Sequence, residues 1–365
     1  MGKILELRKY GQSIWLDNLT REYFADGSFL RWINDGVCGV TSNPTIFENA
    51  IKKSPQYDGS IRKYAAQGLD AERILTELEI EDIRQAADIF RPVFERTAGA
   101  DGYISIEVSP RLAHDAGGTV KQALELYSRL ERPNIMIKVP ATKEGMTAIR
   151  ELIGEGVSIN ATLLFSLASY RAAAQAYIDG LKDRKEKGRP VHYVRSVASF
   201  FVSRVDTAAD TALETKAGQM PELKEKLLAL RGKTAIAQCK CAYKLYGEIF
   251  GGQFAPLQAA GAHKQRLLWA STGTKNPAYS KTMYVDGLIG PDTVNTIPEA
   301  TLAEFLKSGS VTPTLTEKTG EAEALLSETG KYIDLDEICG RLEADGVAKF
   351  AESYGNLINA IEAKK

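Results

Sequence analysis

Asn134-Ile135-Met136-Ile137-Lys138-Val139-Pro140-Ala141-Thr142 is an apolar run that carries a single lysine. In an extended chain successive side chains point to opposite faces. Ile135, Ile137 and Val139 therefore share one face, and Asn134, Met136 and Lys138 share the other. If the aliphatic face packs under helices, Lys138 is held inside the fold, where loss of water disfavours its charged form. An amine so placed can attack a carbonyl and form a Schiff base. The alternative is a strand-end lysine whose ammonium reaches solvent along its alkyl stem.

Outward from this run the chain alternates between short strands and helices. A helix over residues 117–132 leads into it and another over 145–155 follows. The other strand candidates are residues 13–17, 37–43, 102–108, 157–162, 195–201, 267–271 and 282–286. Between them the pattern is helical, notably over 21–35, much of 44–96, and 166–180. Eight strands separated by helices predict an α/β fold, either a parallel (β/α)8 TIM-type barrel with extra helices or a doubly wound open sheet. The barrel explains more. Polar or ionisable side chains recur at strand C-terminal ends (Asp17, Asn43, Glu107, Lys138, Asn160, Thr162 and Ser199), and in a barrel those ends converge on one mouth. No Gly-rich dinucleotide or phosphate-loop fingerprint follows any strand, which removes the usual ligands of an open sheet. A single barrel domain over residues 1–365 is expected, with a helical insertion at about 205–252 and a C-terminal helix at about 335–365. In that last helix Leu342, Val347, Phe350, Tyr354, Leu357, Ile358 and Ile361 fall in helical register, so one face should be buried.

Composition narrows the function by exclusion. A formal net charge of −1 over 365 residues supplies no global field for nucleic acid or an anionic membrane, so any anion must be bound locally. Cys38, Cys239, Cys241 and Cys339 form neither a disulfide framework nor a metal-ligand spacing. The Cys239-x-Cys241 pair lies in a helical pattern, where positions i and i+2 do not face each other. A reducing cytoplasm is the expected compartment. The N-terminal residues lack the apolar core of a signal peptide, and no run approaches the length of a membrane span. The histidines at 114, 192 and 263 fall at none of the strand ends. Oligomeric state is not legible at this level.

Two segments carry a family resemblance. Thr41-Ser42-Asn43-Pro44-Thr45-Ile46-Phe47 resembles the strand-two signature of the transaldolase family, and Ile137-Lys138-Val139-Pro140-Ala141-Thr142 resembles its Schiff-base segment. Ser105-Ile106-Glu107-Val108 and Asn160-Ala161-Thr162-Leu163-Leu164-Phe165-Ser166 are similar to further family segments. The resemblance runs from the first strand to the last. It implies an α/β barrel that splits and rejoins ketose phosphates through a lysine imine. By the same resemblance Lys138 would be the nucleophile, Asp17 the acid–base residue at the hydroxyl beside the breaking bond, and Glu107 with Thr162 the holders of a catalytic water. Thr41, Asn43 and Asn160 would contact the bound three-carbon unit, and Ser199, Arg204 and Ser271 would bind substrate phosphate. Lys275 stands roughly where shorter members carry an arginine, and a lysine supplies the charge without the bidentate fork. The Phe200-Phe201 pair and the long insertion are similar to the longer branch of the family. Some members of that branch are fused to a phosphoglucose isomerase, which a chain of this length is expected to lack.

The chemistry fits these roles independently. Breaking a carbon–carbon bond beside a carbinol leaves electrons on carbon, and a protonated imine provides their sink, so neither a metal nor another cofactor is expected. The resemblance implies transfer of a dihydroxyacetone unit from sedoheptulose 7-phosphate to glyceraldehyde 3-phosphate, giving erythrose 4-phosphate and fructose 6-phosphate, in the non-oxidative pentose phosphate pathway. The rivals are a Schiff-base aldolase releasing free dihydroxyacetone and a sugar-phosphate-binding barrel without catalysis. Each residue also has a structural alternative. Asp17 could cap the following helix, Glu107 could be a buried ion-pair partner of Lys138, and Asn43 could shape the turn before Pro44. Arg204 could pair with Asp206 or Asp210, and Asp286 could cap the turn at Gly287.

Overall fold

The computed structural model describes residues 2–365. Eight parallel strands close into a barrel in chain order: β1 (Gln12–Leu16), β2 (Val40–Thr41), β3 (Ile104–Glu107), β4 (Ile135–Pro140), β5 (Ile159–Leu164), β6 (Ser196–Phe201), β7 (Arg266–Ala270) and β8 (Thr293–Ile297). Closure comes from β1, which pairs with β2 on one side and with β8 on the other. Every strand is buried along nearly all its length, because the helices that return the chain cover the outer face. The expected barrel is therefore the observed one.

The first seven expected strands overlap β1 to β7. The eighth does not: residues Met283–Asp286 form a short helix, and β8 lies at Thr293–Ile297. Local hydrogen bonds hold the helical turn, since Val285 and Asp286 both donate their backbone N–H to the Thr282 carbonyl and Thr282 Oγ1 donates to the Asp286 carboxylate at 2.6 Å. Asp286 also accepts from the Ser310 amide at 3.1 Å. It ties the short helix to the segment at Ser310 rather than capping Gly287. The true strand escapes a hydrophobicity pattern because its polar residues are buried and satisfied by distant partners: Thr293 accepts from Gln12 and Asn295 accepts from Thr272.

Two further differences have local causes. The single helix expected over 21–35 is two, Arg21–Ala25 and Ser28–Asp35, broken at Asp26-Gly27, where Gly27 takes φ 73°. The second expected strand shrinks to two residues, because Asn43 leaves it to cap the helix Pro44–Lys53. After β4 the helix Lys143–Glu155 starts at once, with Thr142 Oγ1 accepting from the Gly145 amide at 3.0 Å. A Cβ at position 145 would come within 1.9 Å of the Pro140 carbonyl oxygen, so only glycine lets the helix leave the strand so tightly.

Residues 205–252 fall mainly in the helices Ser203–Gln219, Lys224–Leu228 and Thr234–Gly251. Ala209, Leu213, Ala217 and Leu227 of this region form a small cluster with Ile333 and Ile338, separate from the main core. The helix Leu335–Glu362 then crosses the barrel mouth and packs on Pro44–Lys53. A Cβ at Gly346 would lie 2.9 Å from Leu163, so the glycine permits that close crossing.

Candidate active site

β3, β4 and β5 place Glu107, Lys138 and Asn160 in one row, each the register partner of the next. Register partners in a sheet point to the same face, here the barrel interior. Lys138 is 4% exposed, and its Nζ donates to Glu107 Oε2 and to the Ser42 carbonyl, both at 3.2 Å. The ring of Phe350, from the C-terminal helix, covers it with its centroid 5.6 Å from Nζ. The ammonium does not reach bulk solvent. Glu107 is thus both a strand-end acid and the ion-pair partner of Lys138.

A pocket of about 220 Å3 opens above the lysine, lined by Asp17, Thr41, Asn43, Lys138, Thr162, Ser199, Arg204, Ser271 and Lys275 among others. Asp17 follows the last residue of β1 and accepts from Thr41 Oγ1 at 2.8 Å, which in turn meets Thr296 Oγ1 at 2.6 Å. It caps no helix: the next one, Arg21–Ala25, has Thr20 at its cap position. Burial pushes the Asp17 carboxyl above the ordinary carboxylate range, against the opposing pull of Lys138, the Thr41 hydroxyl, Lys275 and Arg204. Burial raises Glu107 as well, with Lys138 opposing and the negative charge of Asp17 adding.

Two buried polar atoms here have no protein hydrogen-bond partner, Glu107 Oε1 and Thr162 Oγ1. Most buried polar groups are satisfied in folded proteins, so the pair stands out. Thr162 is carried on a register shift between Ala161 and Leu164, with Leu163 at φ 61°. A second non-glycine residue with left-handed backbone, Ser271 at φ 55°, follows β7 at the same mouth, and its carbonyl accepts from the Ser203 amide. Such backbone costs on the order of 1–3 kcal/mol and clusters at functional sites.

The remaining expected site residues divide. Arg204 stands in the first turn of Ser203–Gln219 with its guanidinium 5.4 Å from the Phe201 ring centroid. It makes no ion pair among the described residues. Asp206 and Asp210 are engaged elsewhere, with Ala235 and Tyr284 and with Gly232 and Tyr279 respectively. Asn43 Oδ1 accepts from the Ile46 amide at 3.0 Å, so it shapes the turn while still lining the pocket. Asn160 is fully buried below the pocket, donating to Ser105 Oγ and accepting from Ser199 Oγ at 2.6 Å. Its reach to the pocket runs through Ser199. Among the described residues no group of three or more His, Cys, Asp or Glu side chains is arranged to hold a metal ion.

Sequence reasoning missed three contributors. The Ser42 carbonyl is invisible to any side-chain motif. Phe350 was legible only as one apolar position in a helical register, with nothing to say that it sits over Lys138. Glu79, on the helix Ala71–Arg96, lines a small cavity behind the site together with Glu107, Ser42 and Tyr354. Burial, with Asp82 and Glu107 close by, pushes its carboxyl up to about 8. In the sequence it is one acid among many on a helical stretch rich in acids and arginines.

The chain can now be set beside known proteins. It is 45% identical over 359 residues to a transaldolase of Thiobacillus denitrificans, covering 98% of both chains. It is 46% identical over 355 residues to a transaldolase of Saccharopolyspora erythraea, covering 96% of this chain and 94% of that one. With a transaldolase of Neisseria gonorrhoeae it shares 42% identity over 360 residues, 98% of this chain and 99% of the other. The profile of the transaldolase/fructose-6-phosphate aldolase family matches residues 14–361, from the first barrel strand to the helix over its mouth, and the chain belongs to that family.

Proposed function

We propose that this protein is a transaldolase that uses Lys138 as its nucleophile and moves a dihydroxyacetone unit from sedoheptulose 7-phosphate to glyceraldehyde 3-phosphate, giving erythrose 4-phosphate and fructose 6-phosphate. The observation that carries this reading is the buried Lys138 amine at the barrel mouth, 3.2 Å from Glu107, with Asp17 and Thr162 lining the same pocket.

The steps follow from those positions. Lys138 Nζ, relieved of a proton by Glu107, attacks the ketose C2 carbonyl, and water leaves to give a protonated imine. The unpartnered Glu107 Oε1 and Thr162 Oγ1 are suited to hold that water as it departs and returns. Asp17 takes the proton of the C4 hydroxyl, the C3–C4 bond breaks, and its electron pair moves into the imine to give an enamine while the aldose phosphate leaves. The acceptor aldehyde enters and the sequence runs backwards, with Asp17 returning the proton. Both carboxyls have raised affinity for protons because burial favours their neutral forms, which suits groups that must gain and lose a proton near neutral pH.

Thr41, Asn43 and, through Ser199, Asn160 surround the three-carbon unit in this reading. Arg204, Lys275 and Ser271 hold the phosphate, assisted by the amino end of the helix Ser203–Gln219. Lys275 takes the place of an arginine as a point charge. The imine is the electron sink, so the scheme uses no metal or other cofactor. Charged sugar phosphates do not cross membranes unaided, which puts this activity in the cytoplasm, within the non-oxidative pentose phosphate pathway. No described helix is long and apolar enough to cross a membrane.

Borohydride reduction with fructose 6-phosphate, followed by mass spectrometry, tests the reading. A three-carbon adduct on Lys138 is expected, and Lys138→Met should abolish it. An adduct that persists in Lys138→Met overturns the assignment. The family description also covers aldolases, so the same protein is to be assayed with and without an acceptor aldehyde. Free dihydroxyacetone released as fast without the acceptor would replace transfer by aldol cleavage.

A further inference from the structure

A second cavity lies at the other end of the barrel. It measures about 710 Å3 and opens at the N-terminal ends of the strands. Arg8, Arg195, Lys264 and Arg266 line it against only two carboxylates, Asp101 and Asp292, a formal surplus of two positive charges in a chain whose net charge is −1. Not all of these cations are committed to the fold. Arg266 is, through Asp101, Ser13 Oγ and the Thr293 carbonyl. Arg195 is too, through the carbonyls of Gly99, His192 and Ala98. Arg8 makes no ion pair among the described residues, and its Nη2 is buried without a protein partner. Lys264 likewise makes none, and stands 5.7 Å from the centroid of the Tyr246 ring.

Arg8 is half-buried, and its sealed Nη2 is a polar group without a partner, which is costly unless a ligand meets it. Met136, Val197 and Ala262 add an apolar wall to the cavity, and its size is that of a small-molecule site. We infer that this cavity is a second anion site, distinct from the phosphate anchor at the barrel mouth, and that its ligand is a small organic anion of the phosphate-ester class carrying at least two negative charges. Arg8 and Lys264 supply the direct charge contacts. Arg195 and Arg266, already braced by the backbone, set the positive field around them. The inference rests on this cavity alone and does not depend on the chemistry proposed for Lys138.

His263 lines the same cavity and offers a local reporter, because the chain has only 3 histidines. Burial and the charge of Arg195, with His192 adding, hold its pKa below the ordinary value. The other charged groups lining the cavity around it are Lys264, Arg8, Arg266, Asp101 and Asp292, and the Tyr177 hydroxyl donates to its carbonyl. A bound dianion favours the imidazolium and must move that pKa upward.

The experiment follows the His263 ring resonance in protein labelled with 13C-histidine while inorganic pyrophosphate is added. A saturable upward shift of the His263 pKa is expected, weakening with salt. Arg8→Gln and Lys264→Gln should each weaken the apparent affinity about tenfold or more, as expected for loss of one charge-assisted hydrogen bond, and Arg8→Lys should recover part of it. Both glutamine variants should still form the adduct on Lys138 at the parent rate, which checks that the barrel is intact. Arg204→Ala should leave the His263 response unchanged. The inference is overturned if saturating pyrophosphate leaves His263 unmoved, if the double variant Arg8→Gln/Lys264→Gln responds like the parent, or if Arg204→Ala abolishes the response and so places the anion at the barrel mouth.

Discussion

The two ends of this barrel use the same kinds of side chain to opposite purposes. At the N-terminal end Asp101 accepts from Ser13 Oγ at 2.7 Å, Trp15 Nε1 at 3.1 Å and Arg266 Nη1 at 3.2 Å, and Arg266 spends its other donors on Ser13 and the Thr293 carbonyl. This carboxylate is fully engaged. At the C-terminal mouth Glu107 Oε1 and Thr162 Oγ1 have no partner, Asp17 receives one hydrogen bond from Thr41, and Arg204 pairs with no acid. A buried charge with every valence met holds structure together. One left partly unmet, at a cost the rest of the core must offset, is available to a substrate. By the same criterion Arg8, with its unpartnered Nη2, and Lys264, with no ion pair, are unmet charges at the N-terminal end, and the cavity around them is the part of that end to be treated as a site.

The contrast is most open to attack through the two acids of the mouth. Asp17→Ala and Glu107→Ala should each slow turnover by about 10²–10⁴-fold, the usual contribution of a positioned acid or base. They should fail at different steps. Asp17→Ala should still condense Lys138 with a ketose phosphate and accumulate an intact, uncleaved adduct, whereas Glu107→Ala should slow adduct formation itself. Weighing the borohydride-trapped species in each variant decides it, and a cleaved three-carbon adduct formed at full rate on Asp17→Ala would remove Asp17 from bond cleavage.

Arg204→Ala should come next. It should raise KM for phosphorylated ketoses by roughly 10–100-fold, the equivalent of about 1.5–3 kcal/mol for a charge-assisted hydrogen bond, while acting little on free dihydroxyacetone. Lys275→Ala should act the same way, more weakly. Equal losses on both substrate types would make Arg204 a structural residue and blur the distinction between the two ends.

The complementary change is Asp101→Ala, where stability rather than chemistry should suffer. Loss of a carboxylate that holds three donors should lower the unfolding free energy by about 1.5–3 kcal/mol, read from denaturant titration. The folded fraction should still form the Lys138 adduct at the parent rate. A variant as stable as the parent but catalytically dead would reverse the roles assigned to the two ends.

The smallest effect is expected from Glu79→Gln. A carboxyl raised from an ordinary 4.5 to about 8 contributes stability that is fully present below pH 4.5 and is lost as pH rises through about 8. The amide removes that dependence. Parent and variant should be alike in stability below pH 4.5, and the variant should gain steadily on the parent as pH rises from there to about 8, holding that gain above it. Parallel stability curves across that range would show that Glu79 ionises freely.

How much of this was legible in the chain follows from which interactions are local. Alternation in residues 134–142 placed Lys138 opposite the aliphatic face, and recurrence of polar residues at strand ends picked out Asp17, Glu107, Thr162 and Ser199, because side-chain direction in a strand depends on the backbone alone. The same reasoning missed β8, since Thr293 and Asn295 are buried among polar partners from β1 and the loop after β7, and no local pattern distinguishes a buried polar residue satisfied by a distant one from an exposed one. It also could not separate Asn160, closed off by Ser105 and Ser199, from Ser199 itself, which lines the pocket. What the sequence by itself determined was the order of the first seven strands and the set of chemically able side chains. Only the tertiary structure decided that Phe350, from a helix more than two hundred residues away in the chain, lies over Lys138, that the Ser42 carbonyl and Glu107 share its ammonium, and that Arg8 is left without an acid. Those outcomes depend on which distant surfaces meet when the barrel closes, and the hydrophobic burial that drives closure has no direction of its own.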